Sequence, residues 1–514
     1  MSCSKIFSGD LPELTYEIIK YLQNDVSTLH SCILINRLWC RLAIPLLWEN
    51  PFSIRTGNYN FIEMYLHNLN DNDFKTKPLN TLFNYLNYIK YLNTWKFMIC
   101  IEIWSKDAIR TLKPENKYFI QNINIYSKVE FMKLISISLF KIFIENEVNL
   151  YTFDIDIIDH RYNEYFNDIF ELIIQNNTNF IQNIKNLGFY TNIYNTYCFE
   201  DTLLKNRISQ IINLHKNLKR ILLSHDYLPL YKSLLLSKDS NCSNTLNTII
   251  LYRINFGSII NLLNKVFEQL NVIESIHIIY CYFLNSNFIQ QIINLSKPFK
   301  LKSLFMNEKL RIELLQLLMQ QSGDYLENFG YEFDYDNQSN QQLLELITNC
   351  KNIKFLDLCK LRMKIIYQIF NLIENVKQNL NYLSISIDDY QDSNNICSST
   401  ILQNLGQILP SKLEYLNLVL KIKANDFEVF LKNSKDIFIK ELLIMQKGSD
   451  DILHYIKKFI MEEKRVEYLA IWNFKYGDLP YFESEVKEFE LYNIKLNYYY
   501  TTLIHPYNFM KELD

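Results

Sequence analysis

Glycine is scarce, with nine in 514 residues, and so is the loop chemistry that depends on it. No G-x-G-x-x-G, G-x-x-x-x-G-K-[ST] or G-x-S-x-G occurs, and H-E-x-x-H is missing too, so nothing announces a phosphate loop, a nucleophile elbow or a zinc helix. The ten cysteines include no C-x-x-C pair. They read as reduced, mostly buried thiols of an intracellular protein, cytoplasmic or nuclear. The longest clean apolar run, IIYCYFL (278–284), is far short of a membrane span. The start, MSCSKIFSGDLPEL, has no apolar core of a secretory signal. With 53 basic and 56 acidic residues interspersed and a net charge of −3, there is no basic block to gather a phosphate backbone. Neither a membrane nor a nucleic acid is expected as partner.

What the chain does have is apolar surface: 48% hydrophobic residues and 15% aromatic ones, enough for extensive cores. It also has a repeat. NIKNLGF (183–189), NLKRILL (217–223), TLNTIIL (245–251), NIKFLDL (352–358), NLNYLSI (379–385), KLEYLNL (412–418) and RVEYLAI (465–471) share an apolar residue, two or three variable ones, then apolar–x–apolar. The first residue of that last pair marks each copy: Leu187, Ile221, Ile249, Ile276, Leu304, Phe329, Leu356, Leu383, Leu416, Leu442, Leu469 and Phe489. The steps between markers run from 20 to 34 residues, and most are 25 to 28. Weaker copies precede them at Ile123 and Phe153.

The apolar–x–apolar core has period two, which predicts a short strand with one face buried. Between strands the period becomes helical. SIINLLNKVFEQL (258–270), KIIYQIFNLIENV (364–376) and SDDILHYIKKFIM (449–461) each carry one apolar stripe. Ser339 with Gln342, and Asn425 with Glu428, stand at capping-box spacing. Strand plus helix in about 27 residues resembles a leucine-rich repeat of the longer type. The expected fold is therefore α/β, a curved solenoid with a parallel concave sheet and convex helices. One departure is plain: the asparagine or cysteine that the family pattern places after the strand is mostly missing, with Leu361 standing there after Leu358.

The first fifty residues lack this repeat. Asp10 can cap a helix with Pro12 in its first turn, and Leu14, Ile18 and Leu22 fall on one face. Asp25 or Ser27 can cap a second helix carrying Leu29, Ile33 and Ile35. A third segment carries Leu38, Trp39, Leu42 and Ala43, and Pro45 is expected to restart a short turn with Leu46, Leu47 and Trp48. The order Leu11-Pro12, Ile18, Leu22, Leu29, Ile35-Asn36-Arg37-Leu38-Trp39, Leu47-Trp48 resembles the F-box, over residues 10–50. An F-box followed by leucine-rich repeats resembles a large fungal-type family of such proteins. The resemblance implies docking on a Skp-type adaptor and, through it, on a cullin–RING ubiquitin ligase. It maps the adaptor contacts to Leu11, Pro12, Ile18, Leu29 and Ile35, with Trp39 holding the helices together.

The expected organisation is an F-box at 8–52, a helical linker at 53–115, the solenoid at 116–494 and a closing cap at 495–514, with 478–485 a loop. No catalytic, metal or cofactor site stands out. In DIDIIDH, Asp154, Asp156, Asp159 and His160 suit a solvated strand end better than a metal site. Target binding falls to side chains that alternate with the buried ones, on the concave face: Phe355, Asp357, Tyr382, Tyr415, Tyr468 and Trp472 among them. The expectation is a non-catalytic substrate-recognition subunit of a Skp–cullin–F-box ligase, with an unidentified target protein and no cofactor. An interaction scaffold unconnected to ubiquitin transfer is the alternative, and an enzyme in its own right has no motif behind it.

Overall fold

A computed structural model describes residues 11–23, 25–53, 59–66, 83–111, 125–159, 162–176, 179–191, 202–215, 217–224, 244–257, 266–388, 395–461, 463–475 and 477–512. The chain divides into two compact units, Met1–Asn247 with Leu270–Val272, and Thr248–Gln269 with Ile273–Asp514. Both are α/β, with parallel strands taken in sequence order and helices between them.

The first unit opens with three helices, α1 (Pro12–Lys20), α2 (Val26–Ile33) and α3 (Arg37–Leu47). Pro12 begins α1, where its missing N–H costs nothing, and Glu13 and Lys20 suit the two ends of the helix dipole. Asp10 lies outside the described residues. Of the two candidate caps for α2, Asp25 serves, accepting from the Thr28 amide at 3.0 Å and the Thr28 hydroxyl at 2.7 Å. Asn36 caps α3 through the Trp39 amide at 3.0 Å. Pro45 does not restart a turn. The helix runs through it to Leu47, and the Trp48 amide closes the last turn on Ile44 at 3.1 Å. One backbone bond is forfeited there, and the buried neighbours Ala43 and Leu46 hold the turn in place. Ile19, Leu29, Cys32, Trp39, Ala43 and Leu46 form a small closed core.

Trp48 joins these helices to the rest of the first unit. Its indole packs on Tyr85 at 4.2 Å and edge-on against Tyr65 at 5.6 Å. The Glu49 carbonyl accepts from the amides of both Lys90 and Tyr91, at 2.9 and 3.1 Å. Those amides lead directly into a strand, β1 (Tyr91–Asn93), where the sequence suggested only linking helices. β1 pairs in parallel with β2 (Thr152–Ile157), β2 with β3 (Asn186–Thr191) and β3 with β4 (Arg220–Ser224). Leu92 faces Phe153, Phe153 faces Leu187, and Leu187 faces Ile221, so the markers stand side by side. The weak copy at Ile123 lies outside the described residues.

In the second unit β5 (Thr248–Tyr252), β6 (Ser275–Ile279), β7 (Leu301–Met306), β8 (Asn328–Glu332), β9 (Phe355–Leu361), β10 (Tyr382–Ile387), β11 (Lys412–Leu420), β12 (Phe438–Gln446) and β13 (Val466–Asn473) succeed one another in parallel. From Leu304 the markers again align, through Phe329, Leu356, Leu383, Leu416 and Leu442 to Leu469. One slip interrupts the row. A bulge after Ile276 brings Ile278, two residues on, opposite Leu304. A one-residue slip would have turned every buried side chain outward; a slip of two keeps the faces intact.

The connecting helices start elsewhere than the capping-box spacings suggested. Asp336 caps the helix Asn337–Thr348 through the Ser339 amide, and Asp450 caps Ala424–Asn433 from the next turn of the chain, Oδ2 to the Ala424 amide at 3.1 Å. The helix expected over 449–461 is one α turn, Leu453–Ile456, continued by a π turn, Lys457–Met461. Of the stripe at 258–270, residues 258–265 lie outside the described part. An asparagine stitch does occur, but before the strand instead of after it: Asn352 donates to the Asp324 carbonyl and Asn379 to the Lys351 carbonyl, each at 2.9 Å and 28 residues back.

The last copy is corrected outright. Phe489 is not in a strand but in a helix, Glu483–Leu491, where it is fully buried and Val486, three residues earlier, is half-buried on the same side. The edge of β13 is taken instead by Gly477–Asp478, antiparallel, and by Lys495–Leu496, parallel. Two short helices, Tyr499–Thr502 and Pro506–Glu512, end the described chain.

Candidate interaction surfaces

The helices α1–α3 close a core and still leave apolar side chains in water. Leu14 is 42% and Ile18 39% exposed, four apart on α1, and Tyr21 at its C-terminal cap is 90% exposed. Leu34 and Ile35, at the corner between α2 and α3, are 79% and 51% exposed. Isolated exposed leucines are ordinary; five large side chains left in water within 22 residues are many for a forty-residue module. The site residues named from sequence divide accordingly. Ile18 and Ile35 are on this surface, Leu11 and Pro12 are half-buried at the start of α1, and Leu29 and Trp39 are inside the core. Leu34, missed in the sequence, is more exposed than Ile35 beside it; it sits at the C-terminal cap of α2, where helical spacing gives no guide to direction.

The second surface is the sheet face of the second unit that alternates with the marker side chains. One row across the strands is His277, Ser303, Asn328, Phe355, Tyr382, Tyr415, Glu441 and Tyr468. The next is Phe305, Gly330, Asp357, Ser384, Asn417, Leu443 and Ala470. Polar neighbours link across strands: Asn328 donates to Ser303 at 2.8 Å, Ser303 lies 2.7 Å from His277 Nδ1, and Asn417 donates to Ser384 at 3.1 Å. Gly330 has a spatial reason. A β-carbon there would overlap the Phe305 ring, which lies across it toward Phe355 at 5.5 Å.

This face is not open. The C-terminal segment lies on it. The Tyr499 hydroxyl donates to Asn417 Oδ1 at 2.8 Å, and the Ile504 amide donates to the Tyr415 hydroxyl at 3.2 Å. Phe509 packs edge-on to both Phe355 and Tyr382, centroids 4.8 Å away in each case. Tyr507 packs on Tyr252 at 4.5 Å, and Met510 receives the Ser303 hydroxyl on its sulfur at 3.1 Å. Of the six side chains expected to meet a target, Phe355 and Tyr415 are thus fully buried by the chain itself, while Asp357, Tyr382, Tyr468 and Trp472 keep partial exposure. Sequence reasoning assigned 495–514 the role of an end cap. The aromatics Tyr499, Tyr507 and Phe509 were the available signal, but in a chain with 36 tyrosines and 34 phenylalanines they do not stand out.

Burial shapes the ionisable groups beneath the segment. Desolvation raises the Asp357 carboxyl above its ordinary range, against hydrogen bonds from Ser384 and Cys359 that favour the anion. The phenols of Tyr280, Tyr415 and Tyr499 are pushed up for the same reason and by that carboxylate. His505, between Tyr252 and Tyr280, is lowered to about 4 by burial and then by the Arg253 charge.

Among the described residues no three histidine, cysteine or acidic side chains cluster as metal ligands, and no helix is long and apolar enough to cross a membrane. In the first unit Asp154 and Asp156 are buried, with Asn93 Nδ2 on Asp156 Oδ2 at 2.5 Å; His160 lies outside the described residues. No family model matches the chain, and no curated protein matches it.

Proposed function

We propose that this chain is a substrate-recognition subunit of a Skp–cullin–F-box ubiquitin ligase, working in the cytoplasm or nucleus. Its N-terminal helices are an F-box that docks a Skp-type adaptor, and its strand–helix repeats are a leucine-rich-repeat solenoid that holds a target. The observation that carries this reading is the bare apolar surface of α1–α3 over a core that is already closed. Ile18 and Ile35, two positions the F-box resemblance marks for contact, are on that surface. Helix-in-groove association uses such edges. Trp48 packs on Tyr85 and the Glu49 carbonyl holds the start of β1, so a docked adaptor has a fixed relation to the first repeats. The chain itself makes and breaks no bond; it contributes proximity to subunits that do.

The test is capture of a purified Skp-type adaptor by the full chain. Wild type is expected to bind at 1:1, and Ile18→Asp with Ile35→Asp to lose at least tenfold in affinity with unchanged circular dichroism. Equal capture by both overturns the docking assignment. Capture without any change in the turnover of bound proteins in cells would assign the chain to a scaffold outside ubiquitin transfer.

A further inference from the structure

We infer that residues 497–512 are an internal, exchangeable ligand of the sheet face in the second unit, and that the external ligand of this face is a peptide segment of the same chemistry: a phenol for Asn417 and, about ten residues on, an apolar ring for the notch between Phe355 and Tyr382. The inference rests on the reading that this face holds a target.

Three observations lead here. The contacts are of ligand type, one hydrogen-bonding hydroxyl, one ring in a two-ring notch and one phenol tilted against another, spread across the strands from Tyr252 to Asn417. A face with Phe355, Tyr415 and Tyr252 uncovered would be a large apolar patch, which a folded chain tolerates only when something covers it. The cover the chain supplies has little structure of its own. Its helices have four and seven residues, too short to persist off the face. A target must therefore outcompete a tethered segment, and only one that reproduces its anchors does so.

The experiment uses the full chain and a fluorescent synthetic peptide of residues 497–512. Tyr499→Ala with Phe509→Ala unlatches the segment; Tyr499→Phe with Phe509→Leu is the milder pair should the first fail to fold by circular dichroism. The peptide is expected to bind the unlatched chain at least tenfold more tightly than wild type, and adding Asn417→Ala is expected to abolish that gain. In wild type, saturating peptide is expected to speed hydrogen exchange at the Tyr499 and Ile504 amides at least tenfold, with the β9–β12 amides unchanged. Equal affinity for the unlatched and wild-type chains, or a gain that survives Asn417→Ala, overturns the inference. Adaptor capture is measured in parallel. Its loss with gating intact removes the ligase reading alone, and its persistence with gating absent removes this inference alone.

Discussion

The Tyr499 hydroxyl lies 2.8 Å from Oδ1 of Asn417, 82 residues earlier in the chain, and both groups are buried. Tyr499→Phe keeps the ring and removes only the donor, leaving the amide oxygen without it in a site water does not reach. Such a loss costs about 1–3 kcal/mol. The cost falls on the terminal segment, so the Ile504 amide is expected to exchange roughly five- to a hundredfold faster, at 1.4 kcal/mol per decade, while amides of β11 hold. Unchanged exchange at Ile504 would mean that the bond contributes nothing to docking.

Acid is expected to loosen the same segment. His505 is held at about 4 when docked, against an ordinary histidine near 6.5. Between those values the released segment binds a proton that the docked one refuses, so docking is strongest above about pH 6.5 and weakens as pH falls toward 4, by up to roughly 3 kcal/mol. His505→Gln is therefore expected to flatten the loss between pH 6.5 and 4.5. Hydrogen exchange at Tyr499 and Ile504 across that range, read against β9–β12 amides, checks this; an undiminished loss in His505→Gln would remove the histidine from the account.

The marker rows were legible because the information is local. Leu356, Leu383 and Leu416 each bury one strand face, and that demand alone fixes their register. Asp25, one of two caps open in the sequence with Ser27, proves to be the one used, and Trp39, grouped with the adaptor-binding residues by resemblance alone, is in the core. Phe489 was misread because Val486 and Phe489 fit a helical spacing as well as the apolar end of a repeat, and only packing decides between them. Pro45 was misread because its broken bond is local while the burial that compensates for it is not. The covered sheet face was beyond sequence reasoning altogether. Met510 meets Ser303 from 207 residues away, and no periodicity encodes such a meeting.

Gly330→Ala is expected to disturb the face from below. The new methyl group would overlap the Phe305 ring, and a ring packed between Tyr280 and Phe355 has no flexible end to yield. Overpacking of this kind costs about 1–3 kcal/mol. Phe355 forms half of the notch for Phe509, so the strain is expected to reach the terminal segment as well. Denaturant unfolding of the second unit should shift to lower concentration, and Gly330→Ala with Phe305→Leu should recover part of the loss. A single variant as stable as wild type would show that the ring moves freely.

The N-terminal helices offer the sharpest separation between stability and binding. Trp39 is almost fully buried at the centre of a six-residue core, and Trp39→Ala removes its largest side chain. A truncation of that kind costs about 3–5 kcal/mol. A core this small has little to spare, so α1–α3 are expected to lose exchange protection while β9–β12, in the other unit, keep theirs. Leu34→Ser removes a side chain that is 79% exposed and is expected to change stability by no more than about 0.5 kcal/mol. Both variants are expected to weaken adaptor capture, the first through unfolding and the second with the helices intact. Retained protection of α1–α3 in Trp39→Ala would mean that these helices are held by contacts outside their own core. A large loss of protection in Leu34→Ser would show that the exposed corner serves folding instead of docking.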